Sequence, residues 1–103
     1  METKEEYAYR WQQHKIVLLG IINKYLPGAK VYLYGSRARG DFQAGSDIDL
    51  AIDAGKKINH ELLLKMYGDI EETNLPTLFD VVDIYSISPE MLVNIKKDWI
   101  PWN

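Results

Sequence analysis

The seven residues Asp47-Ile48-Asp49-Leu50-Ala51-Ile52-Asp53 constrain this chain more than any other stretch. Side chains on a strand point alternately to opposite faces, so the segment puts its aliphatic residues on one side and its carboxylates on the other. A strand of that kind needs a core on one face and something that tolerates clustered negative charge on the other. Like charges a few ångströms apart repel one another unless a cation sits between them. The chain must therefore fold into a sheet with one covered face and one acidic face.

The rest of the sequence supplies the cover. A helix is predicted over residues 4–26, where Tyr7, Trp11, Leu18, Ile21, Ile22 and Tyr25 recur at three- and four-residue steps. Leu26-Pro27-Gly28 ends it, because proline cannot continue a helix and glycine tolerates the turn. Lys30-Val31-Tyr32-Leu33-Tyr34 reads as a strand and Gly35-Ser36 breaks it. A short helical or irregular piece, 37–45, leads to the strand 47–53 and the turn Ala54-Gly55-Lys56-Lys57. Asn59 is placed to cap a helix running to about Thr73, with Leu62, Leu63, Met66, Tyr67 and Ile70 inward. Residues 78–85 form a third strand. Ser88-Pro89-Glu90 starts a last helix ending near Lys97, since serine caps and proline suits the first helical position. The order is α-β-β-α-β-α. It predicts an α/β (α+β) domain with a small three-stranded mixed sheet and helices packed on one side, one domain over residues 1–103.

Composition excludes several classes. With no cysteine, disulfides and Cys-ligated zinc are ruled out, and a cytoplasmic location is expected. The polar start Met1-Glu2-Thr3-Lys4-Glu5-Glu6 and the short apolar run at 16–22 lack the pattern of a signal peptide or membrane span, so a soluble protein with no membrane partner is expected. The formal net charge of −3 argues against nucleic acid as a direct partner. A chain of 103 residues builds only a small core. Association with a partner chain, or self-association, is therefore expected to supply further burial.

The chemistry is carried by residues 35–50. Gly35 lets backbone approach a ligand closely, and Ser36 adds a hydroxyl beside the N–H groups at the start of a helical turn. Such a turn suits a phosphate, and Arg37 and Arg39 put cations nearby. Asp47 and Asp49 share a strand face. Oxygen ligands of this kind suit Mg²⁺, which binds through one or two carboxylates plus substrate phosphates. Asp80, mid-strand among Phe79, Val81 and Val82, needs a reason to be there, and a metal supplies one. Three carboxylates and a phosphate-holding turn fit two-metal phosphoryl or nucleotidyl transfer.

Gly35-Ser36, Gly40 and Ser46-Asp47-Ile48-Asp49 resemble the signature of the DNA polymerase β-like nucleotidyltransferase superfamily. The short chain and the Asp80-Val81-Val82-Asp83 strand look like its minimal nucleotidyltransferase (MNT) branch. The resemblance implies that Gly35 and Ser36, with Arg37 and Ser46 beside them, bind the triphosphate of ATP. It implies that Asp47 and Asp49 hold two Mg²⁺ ions, and that a third carboxylate binds the catalytic metal and helps deprotonate an acceptor hydroxyl. Asp80 is the best match for that carboxylate and Asp83 its rival; opposite strand parity lets only one face the metals. The family further implies a helical HEPN-domain toxin as partner, with AMP transferred to one of its tyrosines. Two other roles compete: an antitoxin that neutralises by contact without catalysis, and a transferase subunit for a small-molecule acceptor. The sequence reading leaves His14 and His60 at the surface or a helix end, and Asp69 on a wet helix face. Trp99 and Trp102 are read as either core or docking patch.

Overall fold

The computed structural model describes residues 3–40, 47–74 and 79–103. The elements are α1 (Lys4–Tyr25), β1 (Lys30–Tyr34), α2 (Ser36–Arg39), β2 (Ile48–Asp53), α3 (His60–Glu72), β3 (Phe79–Asp83), α4 (Pro89–Asp98) and β4 (Ile100–Pro101). They form one sheet in the order β3-β2-β1-β4. β1 pairs antiparallel with β2 and with β4, and β2 pairs parallel with β3.

The helix ends follow from their caps. Thr3 accepts from the Glu6 N–H at 3.1 Å, and Glu5 and Glu6 place negative charge at the positive end of α1. The Asn59 side chain accepts from the N–H groups of Glu61 and Leu62, and Ser88 Oγ accepts from that of Met91 with Pro89 in the first turn. Among the described residues, no helix is long and apolar enough to cross a membrane.

The core lies between α1, α3 and one face of the sheet. Leu18 and Ile22 of α1, Val31 and Leu33 of β1, Ile48, Leu50 and Ile52 of β2, Val81 of β3, and Met66 and Ile70 of α3 are all buried in it. His14 is also buried, contrary to the sequence expectation. It occupies one rung of the three- and four-residue ladder that carries Trp11 and Leu18 inward. Burial first, then the charges of Arg10 and Arg37, hold its imidazole below the ordinary histidine value, so it stays neutral there. Asp69 is likewise not a solvated bystander. Its carboxylate accepts from Tyr25 Oη at 2.7 Å and Lys24 Nζ at 3.0 Å, tying α3 to α1.

Two details correct the expected architecture. First, the sheet has four strands instead of three. The C-terminal tail adds β4, with Leu33 opposite Ile100 and Tyr32 opposite Pro101. The Trp102 N–H donates to the Val31 carbonyl at 2.8 Å, and Asn103 closes the end through the Val31 N–H and the Ala29 carbonyl. Trp102 is buried in the core with its ring 5.9 Å from that of Trp11, so it is core and not a docking patch.

Second, the helices do not all pack on one side. β2, β3 and β4 run in the same direction, so β2-α3-β3 and β3-α4-β4 are both parallel crossovers, but they travel opposite ways across the sheet. With the right hand that such connections take, α3 and α4 lie on opposite faces. Ile95 of α4 is accordingly buried outside the main core cluster. Trp99, which caps α4, stacks on Tyr32 at 3.8 Å, on the face away from Val31 and Leu33.

Candidate active site

The second face carries the acidic residues. In the observed register Tyr34 lies opposite Asp49, and Asp49 lies beside Asp80. These three residues stand abreast across β1, β2 and β3 on one pleat. The next row, Tyr32, Ala51 and Val82, is apolar and forms a floor beside them. Asp47 sits exposed just before β2 and its charge acts on Asp49. Asp49 is half-buried, and its carboxyl is pushed above the ordinary aspartate value, by burial first and then by the charges of Asp80 and Asp47. Arg39 pulls it back down.

The two carboxylates of β3 have opposite surroundings. Asp80 is exposed beside Asp49. Asp83 is buried and spent. It accepts from the Ile58 N–H at 2.8 Å, the Tyr85 N–H at 2.9 Å and Ser86 Oγ at 2.9 Å. Buried carboxylates need such partners, and these fasten the turns before α3 and after β3 to the end of the strand.

Gly35 meets two independent demands. Its φ of 74° and ψ of −154° fall in a region that essentially only glycine adopts. A Cβ placed there would stand 2.6 Å from Asp49 Oδ2. The carboxylate thus tucks directly under the turn that follows β1. From that turn, the Gly35 carbonyl accepts from the Ala38 and Arg39 N–H groups, each at 3.1 Å, which winds α2. The N–H groups ahead of Ala38, those of Ser36 and Arg37, precede the first hydrogen bond of the turn and lie at its start, suited to an anion. Ser36 is half-buried at this position.

Arg37 reaches toward the first helix. Its guanidinium donates to Tyr7 Oη at 2.9 Å and lies 4.9 Å from the centre of the Trp11 ring, toward α1. Arg39 is the arginine whose charge reaches Asp49, and it also pairs with Asp98 of α4 at 3.4 Å. Ser46 lies outside the described residues. Among the described residues, no group of three His, Cys, Asp or Glu side chains stands close enough to enclose a metal ion. The expected three-carboxylate cluster is therefore a shared face, not a closed cage.

Sequence reasoning missed two tyrosines here. Tyr34 is half-buried, and burial first, then Asp49 and Asp80, push its phenol up to about 12. The Tyr67 hydroxyl accepts from the Val81 N–H at 3.1 Å and donates to the Val81 carbonyl at 2.9 Å, covering the outer edge of β3 beside Asp80. Alternation alone could have placed Tyr34 on one of two faces. Only the β1–β2 register puts it next to Asp49.

The donor set is what a divalent cation favours: oxygen ligands carrying mutually repelling negative charge, open to solvent on one side. Asp49 and Asp80, with Asp47, fit such an ion chemically.

Comparison with known proteins agrees with this geometry. The family model described as Polymerase beta, Nucleotidyltransferase matches residues 18–100, which include Gly35, Ser36, Asp47, Asp49 and Asp80. A search of curated protein sequences finds no match. Among solved structures, a toxin–antitoxin crystallised with AMP-PNP aligns with a TM-score of 0.72 at 20% identity, covering 86% of this chain and 72% of that one. A tri-AMPylated Shewanella oneidensis HEPN toxin in complex with an MNT antitoxin aligns with a TM-score of 0.68 at 18% identity, covering 89% and 71%. A candidate minimal nucleotidyltransferase gives a TM-score of 0.58 at 21% identity, covering 88% and 91%. These structures share the fold. The family match spans well over half of the chain, which thus belongs to the polymerase beta nucleotidyltransferase family.

Proposed function

We propose that this protein transfers AMP from ATP to a hydroxyl of a partner protein, and that the partner is a helical HEPN-type toxin which the modification silences. The observation that carries the reading is the contact between the two halves of a donor site. A glycine that only this conformation explains brings a phosphate-suited turn onto Asp49, and the strand register sets Asp80 beside it. Support for the acceptor comes from the fold's likeness to an MNT antitoxin solved with a tri-AMPylated HEPN toxin.

In this reading Gly35 and Ser36 hold the triphosphate through backbone N–H groups and the serine hydroxyl. Asp47, Asp49 and Asp80 would hold Mg²⁺, two ions in the full site. Bound Mg²⁺ would neutralise charge on the phosphates and lower the pKa of the attacking hydroxyl. Asp80, exposed on the outer strand beside Asp49, helps take up the hydroxyl proton. The hydroxyl oxygen attacks the α-phosphorus, the bond to the bridging oxygen breaks, and pyrophosphate leaves with the electron pair. Arg39 partly offsets the upward push that burial and the neighbouring carboxylates exert on Asp49, while Arg37 ties α2 to α1.

Mass spectrometry of the partner after incubation with ATP and Mg²⁺ tests the reading. Added AMP groups that vanish with Asp49→Asn are expected. A silenced partner with no added mass would move the case to neutralisation by contact.

A further inference from the structure

We propose that the Tyr34 hydroxyl is a further ligand contact of the donor site, donating a hydrogen bond to an oxygen of the bound triphosphate. The inference rests on the nucleotidyltransferase reading above and adds a residue to it.

Tyr34 is the last residue of β1 and the one before Gly35. It is therefore fixed by backbone to the phosphate-suited turn and by register to Asp49 and Asp80. Adjacent strands lie roughly 5 Å apart, so its half-buried ring stands as a wall one strand away from Asp49. Among the described residues its hydroxyl makes no hydrogen bond. The hydroxyls of Tyr67 and Tyr25 spend their donors on the Val81 carbonyl and the Asp69 carboxylate. Its donor, that of Tyr34, is therefore available to an acceptor that enters beside Gly35 and Asp49. The carboxylates of the row can approach an anionic triphosphate only through cations. A neutral O–H needs no such mediator, and its bond to a charged oxygen is of the stronger class.

Tyr32 is a built-in control. It lies on the same strand and the same face two residues earlier, but its ring stacks on Trp99 in the apolar row. The experiment is calorimetric titration of the wild type, Tyr34→Phe and Tyr32→Phe with α,β-methylene ATP in Mg²⁺, alongside thermal melting without nucleotide. Tyr34→Phe should bind roughly 10-fold more weakly, the loss of one hydrogen bond to a charged group, with its melting temperature unchanged. Tyr32→Phe should bind like the wild type. Equal binding by Tyr34→Phe, an equal loss in Tyr32→Phe, or a weakening matched by a lower melting temperature would each overturn the assignment and leave the donor site standing. A wild type that does not bind the analogue at all would remove the nucleotide reading, and this contact with it.

Discussion

Replacing Gly35 with alanine separates the cost of a strained backbone from the cost of a displaced carboxylate. An alanine held at φ 74°, ψ −154° carries about 1–3 kcal/mol of strain. The new Cβ would also meet Asp49 Oδ2 at 2.6 Å, closer than such atoms come. That oxygen is the free end of a side chain, so the carboxylate swings away and adds little to the stability loss. A domain of this size shifts its melting temperature by roughly 4–8 °C per kcal/mol. A fall of about 5–20 °C is therefore expected. Activity should suffer more, because a misplacement of about 1 Å in a catalytic group can cost on the order of 100-fold. Gly40→Ala is the matched case. Its φ of 85° is also left-handed, but among the described residues nothing lies within 4 Å of its Cβ position. It should lose about 1–2 kcal/mol and keep its nucleotide affinity. The assay is thermal melting together with titration of Mg²⁺-ATP, scored per folded molecule. A Gly35→Ala protein that binds and transfers as well as Gly40→Ala would refute the argument that the glycine exists to admit Asp49.

Other substitutions separate stability from chemistry. Asp49→Asn should raise the melting temperature at neutral pH. The folded state lifts the Asp49 pKa, so ionisation costs stability above the folded value, and the gain should fade as pH falls toward the ordinary 3.8; a gain that persists well below that value would contradict the assignment. Asp80→Asn should leave melting intact and abolish transfer, whereas Asp83→Ala should lose about 3 kcal/mol by orphaning the Ile58 and Tyr85 N–H groups; chemical denaturation and a transfer assay rank the two. Trp102→Ala should cost about 3–5 kcal/mol in urea unfolding, since it empties part of the core.

Much of this was legible because the local signals were strong and agreed. The caps at Asn59 and Ser88, the break at Pro27-Gly28 and the alternation through β2 each follow from one residue's backbone or side-chain chemistry. The Gly35-Ser36 and Asp47/Asp49 pairing could be read for the same reason. What stayed hidden depends on pairing across the chain. β4 is two residues long and contains a proline, so it carries no periodicity of its own; its strand character comes from β1. His14 looks polar in sequence and is buried because the helix ladder leaves no alternative rung. Arg37 sits in the motif and yet turns to Tyr7 and Trp11, an outcome set by how α1 crosses the sheet. The choice between Asp80 and Asp83 needed the β2–β3 register.

That choice has a consequence for fidelity. A strand that slips by one position turns every side chain over, which would bury Asp80 and turn Asp83 outward. Of the hydrogen bonds that Asp83 accepts, the one from the Ile58 N–H works as a latch against that error, because Ile58 is distant in the chain and reaches Asp83 only in one alignment, whereas those from Tyr85 and Ser86 are local to the strand end. Damage to the latch would create molecules that are folded by most measures but misaligned at the reacting edge. Impaired variants at Asp83 should therefore behave as mixtures, with a fraction of fully competent molecules, instead of a uniformly slower population.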